Sequence, residues 1–193
     1  MPGSTTDHRR AIAERNVEAI LDAAEALLEA RRDPSIAAVA AAAGVSRVTV
    51  YAHFPTREAL LEAVVARTVR RATRTLEAAE PDAGAPADAL ERIVAAGWSE
   101  LERHEVVARA ASEQIAADVR LRAHETAFLP VRRLVERGQS EGAFRTDLPV
   151  DWLVAALFAL MHAAADEVRA ERLDPAEAPQ MLSSSLHRLF AAD

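Results

Sequence analysis

Apolar residues recur at spacings of three and four along most of the chain, which is the period of amphipathic helices. The first such stripe predicts a helix that begins at about Thr6 or Ala11 and ends near Ala30, before Asp33 and Pro34. The apolar members of this stripe are Val17, Ile20, Leu21, Ala24, Leu27 and Leu28. Residues 1–10 are polar, and we expect a disordered arm there.

Two short helices follow, separated by a glycine. Ser35 can cap the first of them, whose inner face carries an aliphatic stripe. Gly44 can adopt the left-handed conformation that ends a helix and turns the chain. Ser46 can then cap the next helix, and Pro55 ends it after about seven residues because the residue before a proline disfavours helical geometry.

A longer helix is predicted next, capped by Thr56 and extending to about residue 79. The stretch EPDAGAPADA, residues 80–89, contains two prolines and a glycine and is the best candidate for a linker. We therefore divide the chain into the arm 1–10, a three-helix domain 11–57, a connecting helix 58–79 and a larger domain 80–193.

The sequence predicts that the larger domain is also helical. Pro130 predicts a kink or a break near Thr126. The stretch that begins at Val150 is apolar nearly all round, which implies contacts on more than one side. The helices predicted in this domain span about 87–103, 105–116, 119–139, 150–171 and 174–191.

Composition supports an all-α fold of about nine helices. Half of the 193 residues are apolar, aromatic residues make up 4%, and there are six glycines, a balance that suits closely packed helices. The absence of cysteine excludes disulfides, thiolate zinc sites and a cysteine nucleophile. No apolar run approaches the roughly 20 residues that cross a bilayer, and the first ten residues lack a signal-peptide core, so we expect a cytoplasmic protein without a membrane partner.

Charge is distributed unevenly along the chain. The net charge is -7, yet residues 1–76 sum to +2 and residues 34–76 to +4, while residues 77–193 sum to -9. The stretch GVSRVTVYAHFPTR, residues 44–57, has two arginines and no acidic side chain. A cationic front half can indicate contact with nucleic acid, although charge alone favours a solvated surface.

The helix, turn and helix around Gly44 form a helix-turn-helix pattern, in which the second helix can enter a DNA major groove. If the apolar side chains of this segment pack inward, its polar side chains and one valine remain exposed. Arginine can pair with guanine, a valine methyl can contact a thymine methyl, and Thr, Tyr and His can hold phosphates. The inward set is Val45, Val50 and Phe54, and the outward set is Arg47, Val48, Thr49, Tyr51 and His53.

At these residues the chain resembles the TetR family of transcriptional regulators. The resemblance rests on IAAVAAAAGVSRVTVYAHFPTREALLEAV, which reproduces the small-residue helix, the GVS turn and the Y-x-HF phrase of that family. It is close over residues 36–64 and holds in outline over 11–64. Ala52 departs from the pattern, since a larger residue is common at that position.

The resemblance implies a role for each position of the segment. It implies that Arg47 reads a base, that Val48 and Thr49 lie at the groove, and that Tyr51 and His53 contact phosphates. Arg57, at the start of the fourth helix, stands where the family commonly has lysine and would bind a phosphate with help from the helix dipole. Ser46 completes the predicted DNA-binding set as the cap of the recognition helix.

The resemblance also implies that residues 80–193 bind an effector and dimerise. Such proteins act as homodimers on near-palindromic operators, through a four-helix bundle made by the last two helices of each subunit. A small-molecule effector would release the operator by favouring another conformation. Leu153, Leu157, Leu182, Leu186 and Phe190 are either dimer contacts or internal core. The predicted pocket residues are Trp98, Leu101, Glu113 (or Gln114), His124, Phe128, Phe158, Met161 and His162.

Two alternatives remain open: a DNA-binding regulator of the same fold that responds to no ligand, and a helical enzyme or small-molecule carrier. The chain has no HExxH, P-loop, GxGxxG or nucleophile-elbow motif, and its six histidines are scattered. His162 and Asp166, four residues apart, are too few for a metal site. We therefore expect no enzyme activity, no metal and no cofactor.

Overall fold

The computed structural model describes residues 3–112 and 117–192, and within these ranges the protein is all-helical. The side chains of residues 3–6, 9, 103, 105, 106, 108, 109, 111, 112 and 117–127 lie outside this description. Phe144 and Ala191 form an isolated antiparallel bridge. The eight helices are α1 (Gly3–Glu29), α2 (Ile36–Ala43), α3 (Arg47–His53), α4 (Arg57–Ala78), α5 (Pro86–Ser112), α6 (Ala117–Ser140), α7 (Val150–Arg169) and α8 (Ala178–Phe190).

Helix α1 begins earlier than the apolar pattern indicates. The structure places its first residue at Gly3, so the arm predicted at residues 1–10 is helical wherever it is described. No proline or second glycine interrupts this helix, and Arg10 Nε donates to Glu14 Oε1 at 2.9 Å across one turn. The first turns carry few apolar side chains, so an apolar stripe cannot reveal them.

The described ranges contain eight helices because two predicted helices are one. The predicted break between residues 103 and 105 is wrong: α5 is continuous through it. Polar residues interrupt the apolar stripe there, but no helix-breaking residue interrupts the backbone. Helix α6 is likewise continuous through Thr126 and Pro130, so it has no break near Thr126.

The chain divides into two compact units. The first consists of Met1–Thr68 and Val106–Ala123, and the second of Val69–Glu105 and His124–Asp193. The division therefore falls inside α4 and not at the proline-rich stretch 80–89. That stretch belongs wholly to the second unit.

Two arginines hold the connection between α4 and α5 in place. Arg92 donates to the carbonyl oxygens of Ala79, Glu80 and Ala83 at 2.7–3.0 Å. Arg137 donates to the carbonyl oxygens of Gly84 and Pro81 at 2.9 and 3.0 Å. The predicted linker is thus a turn whose backbone acceptors are satisfied by side chains.

The first unit has its own apolar core, built from the inward faces of α1 to α4. Helix α1 packs on α2 and α3, and α2 packs on α3. Burial of these faces stabilises the two short helices α2 and α3, since isolated helices of seven or eight residues are not stable in water. The core residues are Ile20, Leu21, Ala24, Leu27, Leu28, Ile36, Val39, Ala40, Val50, Phe54, Leu60, Leu61, Val64 and Val65.

The second unit is built around a larger core to which α5, α6, α7 and α8 all contribute. Helices α7 and α8 pack against each other. Five of their side chains are at most 3% exposed within a single chain, so they are internal core and not dimer contacts. These are the five for which the sequence left both roles open: Leu153, Leu157, Leu182, Leu186 and Phe190.

Gly138 marks a close approach inside the second unit. A Cβ at this position would lie against the ring of Phe144, 2.7 Å from its Cγ. That ring is buried and packs edge-on against Phe190, with centroids 5.4 Å apart. A side chain at position 138 would therefore displace a packed ring.

Gly138→Ala should lower the free energy of unfolding by about 1–3 kcal/mol, because the ring of Phe144 must move out of its packed position. Denaturant unfolding measures this. Gly97→Ala is the matched control, since its Cβ would meet the terminal methyl of Met161 at 2.7 Å, and that methyl can rotate away. The control should stay within about 1 kcal/mol of the natural protein, because alanine also has the higher helix propensity. Equal losses in the two variants would contradict the close approach at Phe144.

Candidate nucleic-acid interface

Helix α2 is fixed at its start by a side-chain cap and along its length by burial. Ser35 has an extended backbone, and its Oγ accepts a hydrogen bond from the backbone N–H of Ala38 at 3.3 Å. Ile36, Val39 and Ala40 are buried. The cap and boundaries predicted from the sequence are confirmed.

Gly44 ends α2 in the left-handed conformation, with φ 68° and ψ 27°. The backbone N–H of Val45 then donates to the carbonyl oxygen of Ala40 at 3.0 Å, which closes the last turn. A residue with a Cβ is strained at such a φ, whereas glycine is not. Helices α2 and α3 consequently lie at 108° to each other, within the range of a helix-turn-helix.

Helix α3 begins at a cap that uses two of the predicted DNA-binding side chains. Ser46 Oγ accepts a hydrogen bond from the backbone N–H of Thr49 at 3.0 Å, and the two hydroxyl oxygens lie 2.9 Å apart. Ser46 is exposed, while Thr49 is half-buried. Both side chains therefore have a structural role at the start of the helix.

The two faces of α3 differ sharply in exposure. Val50 is fully buried and Phe54 is 8% exposed, so they anchor the helix to the first unit. Three other residues of the helix are exposed: Arg47, Val48 at 78% and Tyr51 at 53%, and of these Val48 points most nearly away from Val50. His53 is half-buried, with its ring centroid 6.4 Å from that of Phe54. Val45, predicted to point inward, is only half-buried.

Arg57 lies at the edge of this exposed face, as the first residue of α4. Its Nη2 donates to Asp33 Oδ1 at 2.7 Å, with side chains 32% and 67% exposed. Asp33 stands in the loop between α1 and α2, 24 residues away in sequence. Nothing in the local sequence pattern joins the two positions, so this partner was not predicted.

Glu58 adds a second carboxylate next to Arg57. Its pKa lies below the ordinary value because its own backbone N–H and the Thr56 side chain donate to the carboxylate, with a smaller contribution from Arg57. Thr56 also accepts from the backbone N–H of Ala59 at 3.1 Å, which confirms it as a helix cap. Glu58 is therefore ionised at neutral pH. The acid-free stretch 44–57 is bordered by two carboxylates.

A cluster of ion pairs around the buried Arg67 ties α4 to α1. Arg67 Nε donates to Glu25 Oε1 at 2.8 Å, and its Nη1 donates to Asp22 Oδ1 at 2.8 Å and Glu18 Oε2 at 3.1 Å. The side chains of Arg67 and Glu25 are 8% and 11% exposed. The acids recur at spacings of four and three along α1, a signal that sequence analysis could have used, although it does not reveal the partner.

In the second unit, five of the predicted pocket residues are gathered in or against the apolar core. Trp98 and Met161 are buried in it, and Leu101 packs against it. Phe128 and Phe158 stack on each other with centroids 4.2 Å apart. His162 is exposed. The predicted residues Glu113 and Gln114, and the side chain of His124, lie outside the described residues.

The second unit also has an open cleft between α5 and α8, of about 560 Å³. None of the predicted pocket residues lines it. Its walls are mostly polar on the α8 side and mixed on the α5 side. The lining residues are Glu91, Val94, Ala95, Pro179, Gln180, Ser183, Ser184, His187 and Arg188.

Two further properties concern the part of the chain that the structure describes. No single helix in it is long and apolar enough to cross a membrane. The sharply bent pair α2 and α3 reaches the required length and apolar composition only when its two helices are counted together. No three side chains of His, Cys, Asp or Glu in that part come together as potential metal ligands.

Comparison with known proteins identifies the family. The profile described as "Bacterial regulatory proteins, tetR family" matches residues 20–64, which contain the helix-turn-helix. The HTH-type transcriptional repressor LfrR of Mycolicibacterium smegmatis is 32% identical over 152 residues, which cover 78% of this chain and 77% of LfrR. The chain belongs to the TetR family.

Solved structures share the fold over nearly the whole chain. The TetR-like regulator LfrR from Mycobacterium smegmatis, in complex with proflavine, superposes with a TM-score of 0.66 and 26% identity, covering 91% of this chain and 96% of that one. A TetR family regulator from Marinobacter aquaeolei VT8 gives 0.75 at 17% identity, covering 95% and 100%. The protein is a DNA-binding transcriptional regulator of the TetR family, as are the two relatives named above.

Proposed function

We propose that the protein is a ligand-responsive repressor that binds a near-palindromic operator as a homodimer, with α3 in the major groove. The observation that carries this is the exposure of Val48, at 78%, together with the exposure of Arg47 and Tyr51 on a helix anchored by the buried Val50. An exposed β-branched side chain contributes nothing to the core of the first unit. Its methyl groups suit contact with a thymine methyl.

The side chains of this segment have separate roles in the proposal. Arg47 reads a guanine edge, and Val48 and Thr49 lie at the groove. Tyr51 and His53 hold phosphates, which position the helix without reading sequence. Arg57 and Ser46 lie at the two ends of the segment, Arg57 as a further phosphate contact at the start of α4 and Ser46 as the cap that fixes where α3 begins.

Arg47→Ala should weaken operator binding by about 1–3 kcal/mol and relax the preference at one base pair, because a base contact carries sequence information. Tyr51→Phe and His53→Ala should weaken binding to operator and random duplexes by similar factors. The operator is first obtained by selecting bound fragments from the source genome. Affinity for it and for its single-base variants is then measured at fixed salt.

Arg172→Ala is the control for loss of one positive charge, since Arg172 is exposed and pairs with Glu167 in the second unit. It should leave both affinities nearly unchanged. An Arg47→Ala protein that discriminates at every base as the natural protein does would refute the base contact. A loss confined to the operator in Tyr51→Phe would refute the phosphate contact.

Apolar side chains that remain exposed on α7 and α8 support a homodimer. Trp152 is 61%, Leu160 36% and Met181 47% exposed in the single chain. On α7 the exposed set continues with Ala159 and other small residues, so a second copy can approach closely. One helix-turn-helix contacts only a few base pairs, so two copies set about one DNA turn, roughly 34–36 Å, apart are needed for a full operator.

The free protein should sediment as a dimer of about 42 kDa, twice its 20.8 kDa chain mass. Leu160→Glu and Met181→Glu should each shift it toward the monomer, because a charge would be buried in the interface. Leu129→Glu, on α6, is the control, since Leu129 is also exposed, at 50%, but lies outside α7 and α8. A natural protein that is monomeric at micromolar concentration would contradict the homodimer.

An effector site in the second unit is the part of the proposal that allows regulation. The relative LfrR was solved with proflavine, a planar aromatic compound, and is described as a repressor. In this chain Phe128 and Phe158 already stack, with Trp98, Leu101 and Met161 in the same core. We place the effector among these residues and take it to be a planar aromatic molecule. The alternative is a regulator of the same fold that responds to no ligand.

Proflavine is the first compound to test. If the pocket accepts planar aromatic molecules, it should raise the melting temperature of the free protein and release the operator, because it binds the DNA-free conformation more tightly. Operator release is measured with labelled duplex. Phe158→Ala should weaken both effects, whereas Arg172→Ala should change neither. Failure of proflavine and of a wider aromatic library to release the operator would favour the ligand-independent regulator.

A further inference from the structure

The exposed ion pair between Arg57 and Asp33 places a carboxylate at the proposed phosphate contact. Arg57 Nη2 and Asp33 Oδ1 are 2.7 Å apart, and the Asp33 side chain is 67% exposed. Asp33 belongs to the loop between α1 and α2, and Arg57 begins α4, so the pair joins two elements that flank the helix-turn-helix. A phosphate that approaches this guanidinium must share it with Asp33 or displace it.

We propose that Asp33 limits the affinity for DNA by competing with a backbone phosphate for Arg57. This inference rests on the proposed phosphate contact of Arg57. Exposed ion pairs contribute little to stability, so the carboxylate can be displaced or removed without unfolding the first unit. The carboxylate and an incoming phosphate would both lie within a few ångströms of the same guanidinium, well inside the Debye length of about 8 Å, so physiological salt does not screen out the competition.

The neighbouring charges do not remove this competition. Glu58 is also ionised, but its carboxylate accepts hydrogen bonds from its own backbone N–H and from Thr56. Asp33, in contrast, accepts a hydrogen bond from the Arg57 guanidinium itself, at 2.7 Å. Because a phosphate carries no sequence information, Asp33 should lower the affinity for operator and random DNA by similar factors.

The test compares Asp33→Asn with the natural protein on the selected operator duplex and on a random-sequence duplex of equal length. Asp33→Asn should bind both about three- to tenfold more tightly near physiological salt, the effect of removing one screened charge. The plot of log affinity against log salt concentration should steepen by up to about 0.9, the slope of one further phosphate contact. Asp33→Glu, which keeps the carboxylate, should retain affinity close to that of the natural protein.

Two controls separate this competition from other effects. Asp147→Asn removes a carboxylate of the same kind, paired with Arg145 at 2.6 Å in the second unit, and should change DNA affinity less than twofold. In an Arg57→Gln background, Asp33→Asn should lose most of its effect, since the carboxylate acts through that guanidinium. Thermal unfolding checks that each variant is folded.

Unchanged or weaker binding by Asp33→Asn would overturn the proposal, and weaker binding would mean that the carboxylate instead orients Arg57 for the contact. An equal gain in the Arg57→Gln background would also overturn it, since the effect would then be a general one of charge. If the natural protein binds no duplex selected from the genome, the proposed function itself fails, and that outcome is distinct from any ranking of the variants.

Discussion

The left-handed backbone at Gly44 is the constraint on which the proposed DNA-binding surface depends. It ends α2, and Ser46 begins α3 two residues later, so the 108° angle between the helices is set within one turn. A helix of seven residues is not stable alone, and α3 persists because Val50 and Phe54 are buried in the first unit. Val48 is exposed because of this arrangement, although an apolar side chain by itself favours burial.

The sequence predicts this segment well because its signals are local. The caps at Ser35, Ser46 and Thr56 are each read from residues within one helical turn, and the structure has all three. Apolar periodicity is a less reliable signal where apolar residues become sparse. It does not reveal the polar start of α1, and it indicates a break inside α5 although no residue there interrupts the backbone. Loss of an apolar stripe marks a change of environment and not the end of a helix.

Contacts between distant residues were beyond the sequence for a different reason. Arg67 and Glu25 are 42 residues apart and Arg57 and Asp33 are 24 apart, so only the fold brings them together. The residues of the predicted pocket are also hard to assign from sequence. An aromatic side chain at helical spacing is buried whether it packs in a core or lines a cavity. Only the structure assigns Leu153 and the four other apolar residues of α7 and α8 to the core.

The net charge of a segment is therefore a poor measure of its attraction for DNA. Residues 34–76 carry +4, but two of their six arginines, Arg57 and Arg67, already face carboxylates. The two ion pairs differ in whether a DNA phosphate can displace the carboxylate. Glu25 is 11% exposed and braces α1 against α4, so a phosphate cannot replace it without opening the core. Asp33 is exposed and replaceable, so in the proposed contact the affinity depends on this displaceable carboxylate, together with the positive charge of the exposed Arg47 on α3.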